Sequence, residues 1–337
     1  MSELRIHGGQ DSQGVAVHDF STNSNACGPC PLLISALAAV DAGHYPDPAY
    51  RALRDCLAAF HGVALERIVL AGSASEFIFR ISARVSQGAR LRSTPARVEL
   101  PKHGYGDYGH AALAWGLELS ASSAAADLVW TCDPSSPAGQ THADLAQKVE
   151  ALMPGQMLVL DGAYRPLRLE GALALSDAQL DKVWQLWSPN KALGATGIRA
   201  AYAIAPVGAD EQVAQLVQLA PSWPIGAYGC ALLMTWVQPE VQAWLADCLP
   251  VLRHWKQRQM DVCASLGWAL VPSVANFHLA GIDRPEMGQH LAMLRTQSIK
   301  LRDTASFGLP GRVRMGVLPP SSQDALWQAW KNVGGKP

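Results

Sequence analysis

Val183-Trp184-Gln185-Leu186-Trp187-Ser188-Pro189-Asn190-Lys191-Ala192-Leu193-Gly194-Ala195-Thr196-Gly197-Ile198-Arg199 is an apolar run that breaks into a polar, glycine-bearing loop with an amine inside it. A short apolar run of this kind reads as a buried strand. The loop after it places a guanidinium eight residues beyond Lys191. A neutral amine attacks a carbonyl to form a Schiff base, and burial near other cations lowers a lysine's pKa towards that state. Arginine holds a phosphate through two parallel hydrogen bonds. The spacing therefore suits an amine that holds an aldehyde cofactor while Arg199 holds the cofactor's phosphate. A solvated Lys–Arg surface offers the same pattern, so its meaning rests on the rest of the chain.

Similar runs recur at Ile68-Val69-Leu70, Leu128-Val129-Trp130-Thr131, Met157-Leu158-Val159-Leu160 and Ala200-Ala201-Tyr202-Ala203-Ile204, alternating with helical patterns. That alternation predicts an α/β fold with a mostly parallel, doubly wound sheet. Open sheets of this type place ligands beyond the carboxyl ends of their strands. Candidate polar chemistry follows four of the runs at once. A long amphipathic pattern from 239 to 263 carries Val241, Leu245, Leu249 and Leu252 on one side, and Pro250 inside it predicts a kink or a split. Short strands and helices follow Leu266, ending in a helix-like segment from 324 to 333. The division expected is an N-terminal arm over 1–45 that packs with the small domain, a large domain over 46–234 and a small α+β domain over 235–337.

The 337 residues are 49% hydrophobic and only 16% charged, which points to extensive burial and an oligomeric enzyme. A net charge of −1 gives no basic field for nucleic acid. The N-terminus lacks the apolar core of a signal peptide and no window is long and apolar enough to span a membrane, so a soluble, cytoplasmic protein is expected. Seven cysteines, an odd number, do not make a disulfide framework. Cys27-Gly28-Pro29-Cys30 has the spacing of a redox dithiol, but a polar turn precedes it and Pro31 after it fits a helix start. A dithiol oxidoreductase remains the third functional reading.

Four further segments fit the aldehyde-cofactor chemistry. Gly72-Ser73-Ala74-Ser75-Glu76 after the first strand offers free backbone N–H groups to an anion, or an ordinary helix cap. His103-Gly104-Tyr105-Gly106-Asp107-Tyr108 offers aromatic faces for a flat ring, or a plain glycine-rich loop. Asp161 in Asp161-Gly162-Ala163-Tyr164 can keep a proton on a pyridine nitrogen, with Tyr164 near the ring's phenolic oxygen, or simply form a turn. Arg302, and Arg314 in Gly311-Arg312-Val313-Arg314-Met315, can bind substrate anions or lie on a solvated edge strand, Arg312 and Arg314 sharing one strand face.

With these segments in order, the chain resembles the pyridoxal-phosphate-dependent class I/II aminotransferase family of fold type I, over nearly its whole length. The resemblance implies pyridoxal 5′-phosphate as cofactor and Lys191 as the Schiff-base lysine. It implies that Ser188, Arg199, Ala74 and Ser75 hold the phosphate, that Tyr105 stacks on the ring, and that Asp161 and Tyr164 face its nitrogen and phenolic oxygen. Tyr45, in Tyr45-Pro46-Asp47-Pro48, is similar to the tyrosine that reaches the phosphate of the neighbouring subunit, which implies a homodimer with shared sites. Arg314 is similar to the arginine that takes the substrate's carboxylate. The opening His7-Gly8-Gly9, Asp19-Phe20-Ser21-Thr22-Asn23 and Gly28-Pro29 is similar to the branch containing histidinol-phosphate aminotransferase and the cobalamin-pathway threonine-phosphate decarboxylases, in which the arginine at the place of Arg302 contacts a substrate phosphate. His7 and Asn23 are counted with the substrate side on that ground.

One position departs from the family. Asp133-Pro134-Ser135-Ser136-Pro137-Ala138-Gly139 puts Ser136 where an asparagine usually donates to the cofactor's phenolic oxygen, and a hydroxyl is shorter with a single donor. The implied reaction runs through an external aldimine with a small amino substrate. If Arg314 holds the carboxylate near the ring plane, Cα–H breaks and transamination follows; if the carboxylate stands upright, CO₂ leaves. The alternative suggested by Ser136 is a degenerate cofactor-binding module without transaminase activity.

Overall fold

In the computed structural model, which describes residues 7–91, 93–282 and 286–332, the five apolar runs become the strands Ile68–Ala71, Leu128–Cys132, Met157–Asp161, Trp184–Trp187 and Ala201–Ile204. They join Arg97–Glu99 and Glu118–Leu119 in a seven-stranded sheet. Its spatial order is Ile68–Ala71, Ala201–Ile204, Trp184–Trp187, Met157–Asp161, Leu128–Cys132, Arg97–Glu99 and Glu118–Leu119. Ala201–Ile204 runs against both its neighbours, and the remaining pairs are parallel. The expected mostly parallel α/β sheet is present with one reversed strand.

The five central strands read as unbroken apolar runs because helices cover both of their faces. Alternation sends Val69, Ala71, Trp184, Leu186, Ala201 and Ala203 into one core, with Phe77, Ile78, Ile81 and Val85 of the helix Ala74–Leu91. Ile68, Leu70, Trp187, Tyr202 and Ile204 enter the opposite core. There they meet Leu33, Leu53, Leu57, Leu232 and Leu233 from the helices Pro31–Ala38, Arg51–His61 and Ala227–Trp236. Each buried valine, leucine, isoleucine or phenylalanine among them contributes about 1.5–3 kcal/mol by leaving water.

The amphipathic pattern near 239 forms one continuous helix, Pro239–Ser265, of 27 residues. The expected split at Pro250 does not occur. Proline there forfeits a single N–H, and the carbonyl it leaves, on Ala246, belongs to an exposed residue that water can reach. Val241, Leu245 and Leu252 stay buried around it and hold the helix to the large sheet. The far end of the helix enters a third core, where Cys263 meets Phe20, Leu294, Val313 and Trp330. Over that core lies an antiparallel sheet ordered Arg302–Asp303, Arg312–Gly316, Phe277–Gly281 and Ala269–Val271. Among the described residues, no helix is long and apolar enough to cross a membrane.

The N-terminal segment joins both units. His18–Asp19 pairs in parallel with Ile299–Lys300, and the Gly316 N–H donates to the Phe20 carbonyl at 2.7 Å. Ten residues on, Cys30 and Leu33 are buried in the core beneath the large sheet. Between them the chain crosses the loop after Lys191. The Asn25 N–H donates to the Lys191 carbonyl at 2.9 Å, and a Cβ on Gly194, whose φ is +70°, would stand 3.0 Å from the Cα atoms of Gly28 and Pro29. Gly194→Ala is expected to cost about 1–2 kcal/mol from the left-handed backbone alone, with the clash added. Gly197→Ala, in the same loop with open space around its Cα, should change stability by less than about 0.5 kcal/mol. Urea midpoints of the two variants check this contrast.

Candidate active site

Every residue assigned from the sequence to the cofactor or the substrate except Tyr45 lines one cleft of about 1070 Å³, while Cys27, Cys30 and Arg312 lie outside it. The cleft lies beyond the carboxyl ends of the parallel strands, between the large sheet, the N-terminal segment and the antiparallel sheet. Tyr45 lies outside the cleft of its own chain, 79% exposed and stacked on Trp223 at 4.5 Å.

At one end, the helix Ala74–Leu91 begins. The Ser73 hydroxyl caps it by accepting from the Glu76 N–H at 3.0 Å, and Glu76 reaches back to the Gly72 N–H at 3.2 Å. The amides of Ala74 and Ser75 have no acceptor within their own helix, so they point the positive end of its dipole at the cleft. Across from them Ser188 is buried, and its hydroxyl has no hydrogen-bond partner. Arg199 is exposed on the same cleft wall. Orphaned donors and a guanidinium around one end form a seat for a phosphate. The loop from Lys191 to Arg199 is fixed by Asn190, whose amide donates to the carbonyls of Thr196 and Ile198, each at 3.3 Å.

In the middle, Asp161 ends its strand with a fully enclosed carboxylate. Its Oδ1 accepts from the Ala163 N–H at 2.9 Å and its Oδ2 accepts from the Tyr108 hydroxyl at 2.6 Å. Burial raises its pKa, while the Tyr108 and Ala163 hydrogen bonds and the charge of Lys191 pull it back down. Tyr108 is itself locked by stacking on Trp130, with centroids 4.5 Å apart and planes 14° apart. Tyr105 donates or accepts at Ser75 Oγ, 3.0 Å away, and burial pushes its phenol up to about 12, so it stays neutral. Lys191 Nζ stands 5.4 Å from the centroid of the Tyr164 ring, and the Tyr164 hydroxyl accepts from the Asn23 amide at 3.4 Å.

At the other end, Arg302 and Arg314 are directly opposite each other on adjacent antiparallel strands, both buried. Arg314 donates to the Ser21 carbonyl at 3.0 Å and to Ser136 Oγ at 3.2 Å, its Nε has no partner, and among the described residues no carboxylate pairs with it. Arg302 donates to Ser306 Oγ at 2.8 Å, and both guanidinium groups lie by the Phe307 ring at 4.9 and 5.7 Å. Burial and the charge of Arg314 lower the pKa of Arg302 to about 10, which still leaves it cationic at neutral pH. Two buried cations side by side call for anionic groups on the molecule that enters. His7 borders the cleft, its ring 6.1 Å from that of Tyr105.

Two features were not read from the sequence. The Tyr108 contact to Asp161 was hidden in a motif in which Tyr105 drew the attention, and the Arg314 contact to Ser136 joins residues 178 positions apart. The dithiol reading fares poorly, because burial pushes the Cys27 thiol up to about 12, opposite to what a nucleophilic thiolate needs.

The family described as aminotransferase class I and II matches residues 107–329. Histidinol-phosphate aminotransferase 2 of Burkholderia mallei is 25% identical over 93% of this chain and 91% of its own. Among solved structures, histidinol-phosphate aminotransferase from Sinorhizobium meliloti in complex with pyridoxal 5′-phosphate superposes with a TM-score of 0.76 at 22% identity, covering 93% of this chain and 89% of that one. L-threonine-O-3-phosphate decarboxylase from Porphyromonas gingivalis superposes with a TM-score of 0.74 at 19% identity, covering 90% and 94%.

Tyr108→Phe is expected to leave the Asp161 Oδ2 buried without a donor, at a cost of about 1–3 kcal/mol. The folded pKa of Asp161 is raised above its unfolded value of about 3.9. Its ionisation therefore works against folding as pH rises through the window above the unfolded value. Losing the phenol raises the folded pKa further. The cofactor-free variant should thus lose most stability at neutral pH and less as pH falls towards about 4.5, measured by urea midpoints at several pH values.

Proposed function

The chain belongs to the aminotransferase class I and II family, a pyridoxal 5′-phosphate enzyme, and from that premise we propose that it acts on a small amino compound carrying a phosphate. The observation that carries this is the cross-strand pair Arg302 and Arg314, both buried on the cleft wall without a carboxylate opposite Arg314. One guanidinium takes the phosphate, and the other a carboxylate where the substrate or the 2-oxo acid acceptor carries one, each by paired charge-assisted hydrogen bonds. Histidinol-phosphate aminotransferases and a threonine-phosphate decarboxylase among the relatives and structural neighbours support a phosphorylated substrate.

The residues present fit the cofactor: the orphaned Ser188 hydroxyl, the free amides of Ala74 and Ser75 and the nearby Arg199 suit its phosphate. When bound, pyridoxal 5′-phosphate supplies an aldehyde that condenses with amines and a pyridine ring that accepts electrons from a breaking bond at Cα. Lys191 would hold the aldehyde through its amine, and its Nζ would be the group placed to carry a proton at the substrate's Cα. Asp161 would hold a proton on the ring nitrogen, and the hydrogen bonds from Tyr108 and Ala163 favour its charged form for that task. Tyr105 would cover the ring face and Tyr164 would face the phenolic oxygen, its hydroxyl oriented by Asn23. His7 and the N-terminal segment narrow the opening to water. Tyr45, exposed and outside its own cleft, completes the phosphate seat of a second copy, which makes the working unit a homodimer.

Purified protein is expected to be yellow, with a borohydride-reduced adduct mapping to Lys191. Lys191→Ala should lower turnover on the order of 10⁴-fold. Incubation with threonine phosphate or histidinol phosphate plus a 2-oxo acid, following CO₂ and the new amino acid, should give turnover of one of the two. Arg302→Gln should raise its KM by about 100-fold while leaving the cofactor's absorption unchanged. No turnover of either compound by protein that binds the cofactor would favour a binding module instead. Ser136→Asn is expected to move the pH midpoint of the cofactor's visible band, because a second donor reaches the phenolic oxygen; an unmoved band refutes that role for position 136.

A further inference from the structure

A second cavity of about 740 Å³ lies against the face of the large sheet that carries Trp187, and it shares no lining residue with the cleft. Its walls come from the end of the helix Arg51–His61, the first half of Pro239–Ser265, the strand Trp184–Trp187 and the short segments around Arg165 and Asp181. A void of this size inside a helix–sheet core would ordinarily be lined by aliphatic side chains and closed by repacking. This one is lined by donors with hydrogen bonds unspent. Trp187 is only 8% exposed and its indole N–H has no partner. Arg67 spends Nη1 on Asp181 at 2.8 Å and Nε on the Ala205 carbonyl at 2.7 Å, while its buried Nη2 has no partner. Arg165 is half-buried with its guanidinium carbon 5.0 Å over the Trp187 ring, and among the described residues it makes no ion pair.

The acceptors nearby are already engaged. The Tyr202 hydroxyl takes the Trp236 indole N–H at 3.1 Å and meets His61 Nε2 at 2.8 Å. Burial and the charge of Arg165 lower the His61 pKa to about 4, so this ring is a neutral aromatic wall at pH 7. Asp181 is held by Arg67, and Asp177 is exposed. Asp177 lies near enough for its charge to favour the Arg165 cation, yet among the described residues no carboxylate forms an ion pair with that guanidinium. What the cavity offers besides is flat surface: Phe60, His61, Trp187 and Trp236 meet at tilted and edge-on angles with centroids 4.8–5.9 Å apart. The helix Arg51–His61 brings its carbonyl end here, which disfavours a phosphate dianion more than a single carboxylate.

We propose that this cavity is a second ligand site that takes a small aromatic carboxylate, its ring against Phe60, His61 and Trp187 and its carboxylate on Arg165 and the Trp187 indole N–H. A guanidinium stacked on an indole keeps its edge free for two parallel bonds to such a group. The site is independent of the phosphate-bearing substrate assigned to the cleft, and the two stand or fall separately.

Isothermal titration of the cofactor-loaded protein with 2-naphthoate tests it. The expected result is one site per chain, with 2-naphthalenemethanol, which has the ring but no charge, at least about 10-fold weaker. Arg165→Gln should weaken 2-naphthoate by about 10-fold or more, Trp187→Phe by a smaller factor, and Arg314→Gln in the cleft should leave it unchanged. Near-UV circular dichroism establishes that each variant is folded, and Trp187→Phe keeps the test decisive should Arg165→Gln fail to fold. No binding up to about 5 mM overturns the proposal. So does binding that Arg165→Gln and Trp187→Phe leave untouched, or binding that Arg314→Gln removes.

Discussion

A carboxylate sealed at the end of a parallel strand is the constraint around which this molecule is arranged. Helices cover the central strands on both faces, so the only polar outlets are the strand ends, and Asp161 occupies the middle one. Burying an isolated charge there would cost several kcal/mol. The cost is offset by two hydrogen bonds, one from the backbone of Ala163 and one from Tyr108. Tyr108 can serve only because Trp130, from the neighbouring strand, holds its ring flat. Three consecutive pieces of the large unit are thereby fixed relative to one another, and the cleft takes its shape from them.

Much of this was legible in the chain and the reason is physical. Strands covered on both faces must be apolar throughout, so their limits follow from composition, and polar residues immediately after them mark the open edge. Lys191, Asp161 and Ser75 were found that way, Arg314 came from alternation along a small-domain strand, and all of them line the cleft. Pairings between distant segments were not legible. Nothing local to Ser136 announces a guanidinium 178 residues away, and nothing local to Arg302 announces that it lies opposite Arg314. Pro250 misled because helix continuity depends on what the flanking leucines bury, and Leu245 and Leu252 keep the backbone on course across one lost hydrogen bond. The role expected of Tyr45 needs a second chain.

Arg314 ties three parts of the molecule at one point. Its guanidinium donates to Ser21 in the N-terminal segment and to Ser136 after a strand of the large sheet, while the residue itself sits in the antiparallel sheet. A side chain that bridges these units at the cleft wall sets how far apart they stand. Ser136 is short enough to leave room for that guanidinium. The departure at 136 and the position of Arg314 are therefore one arrangement rather than two.

The strand pairing of His18–Asp19 with Ile299–Lys300, and the seat of Gly28 and Pro29 against Gly194, also govern how the protein can be made. A chain leaving the ribosome begins with the residues whose berths are synthesised last. Phe20, fully enclosed in the finished molecule, must wait in the open until Val313, Met315 and Trp330 have appeared. The chain's beginning is the clasp, fastened after everything else is in place, and holdase chaperones have a long interval in which to meet it.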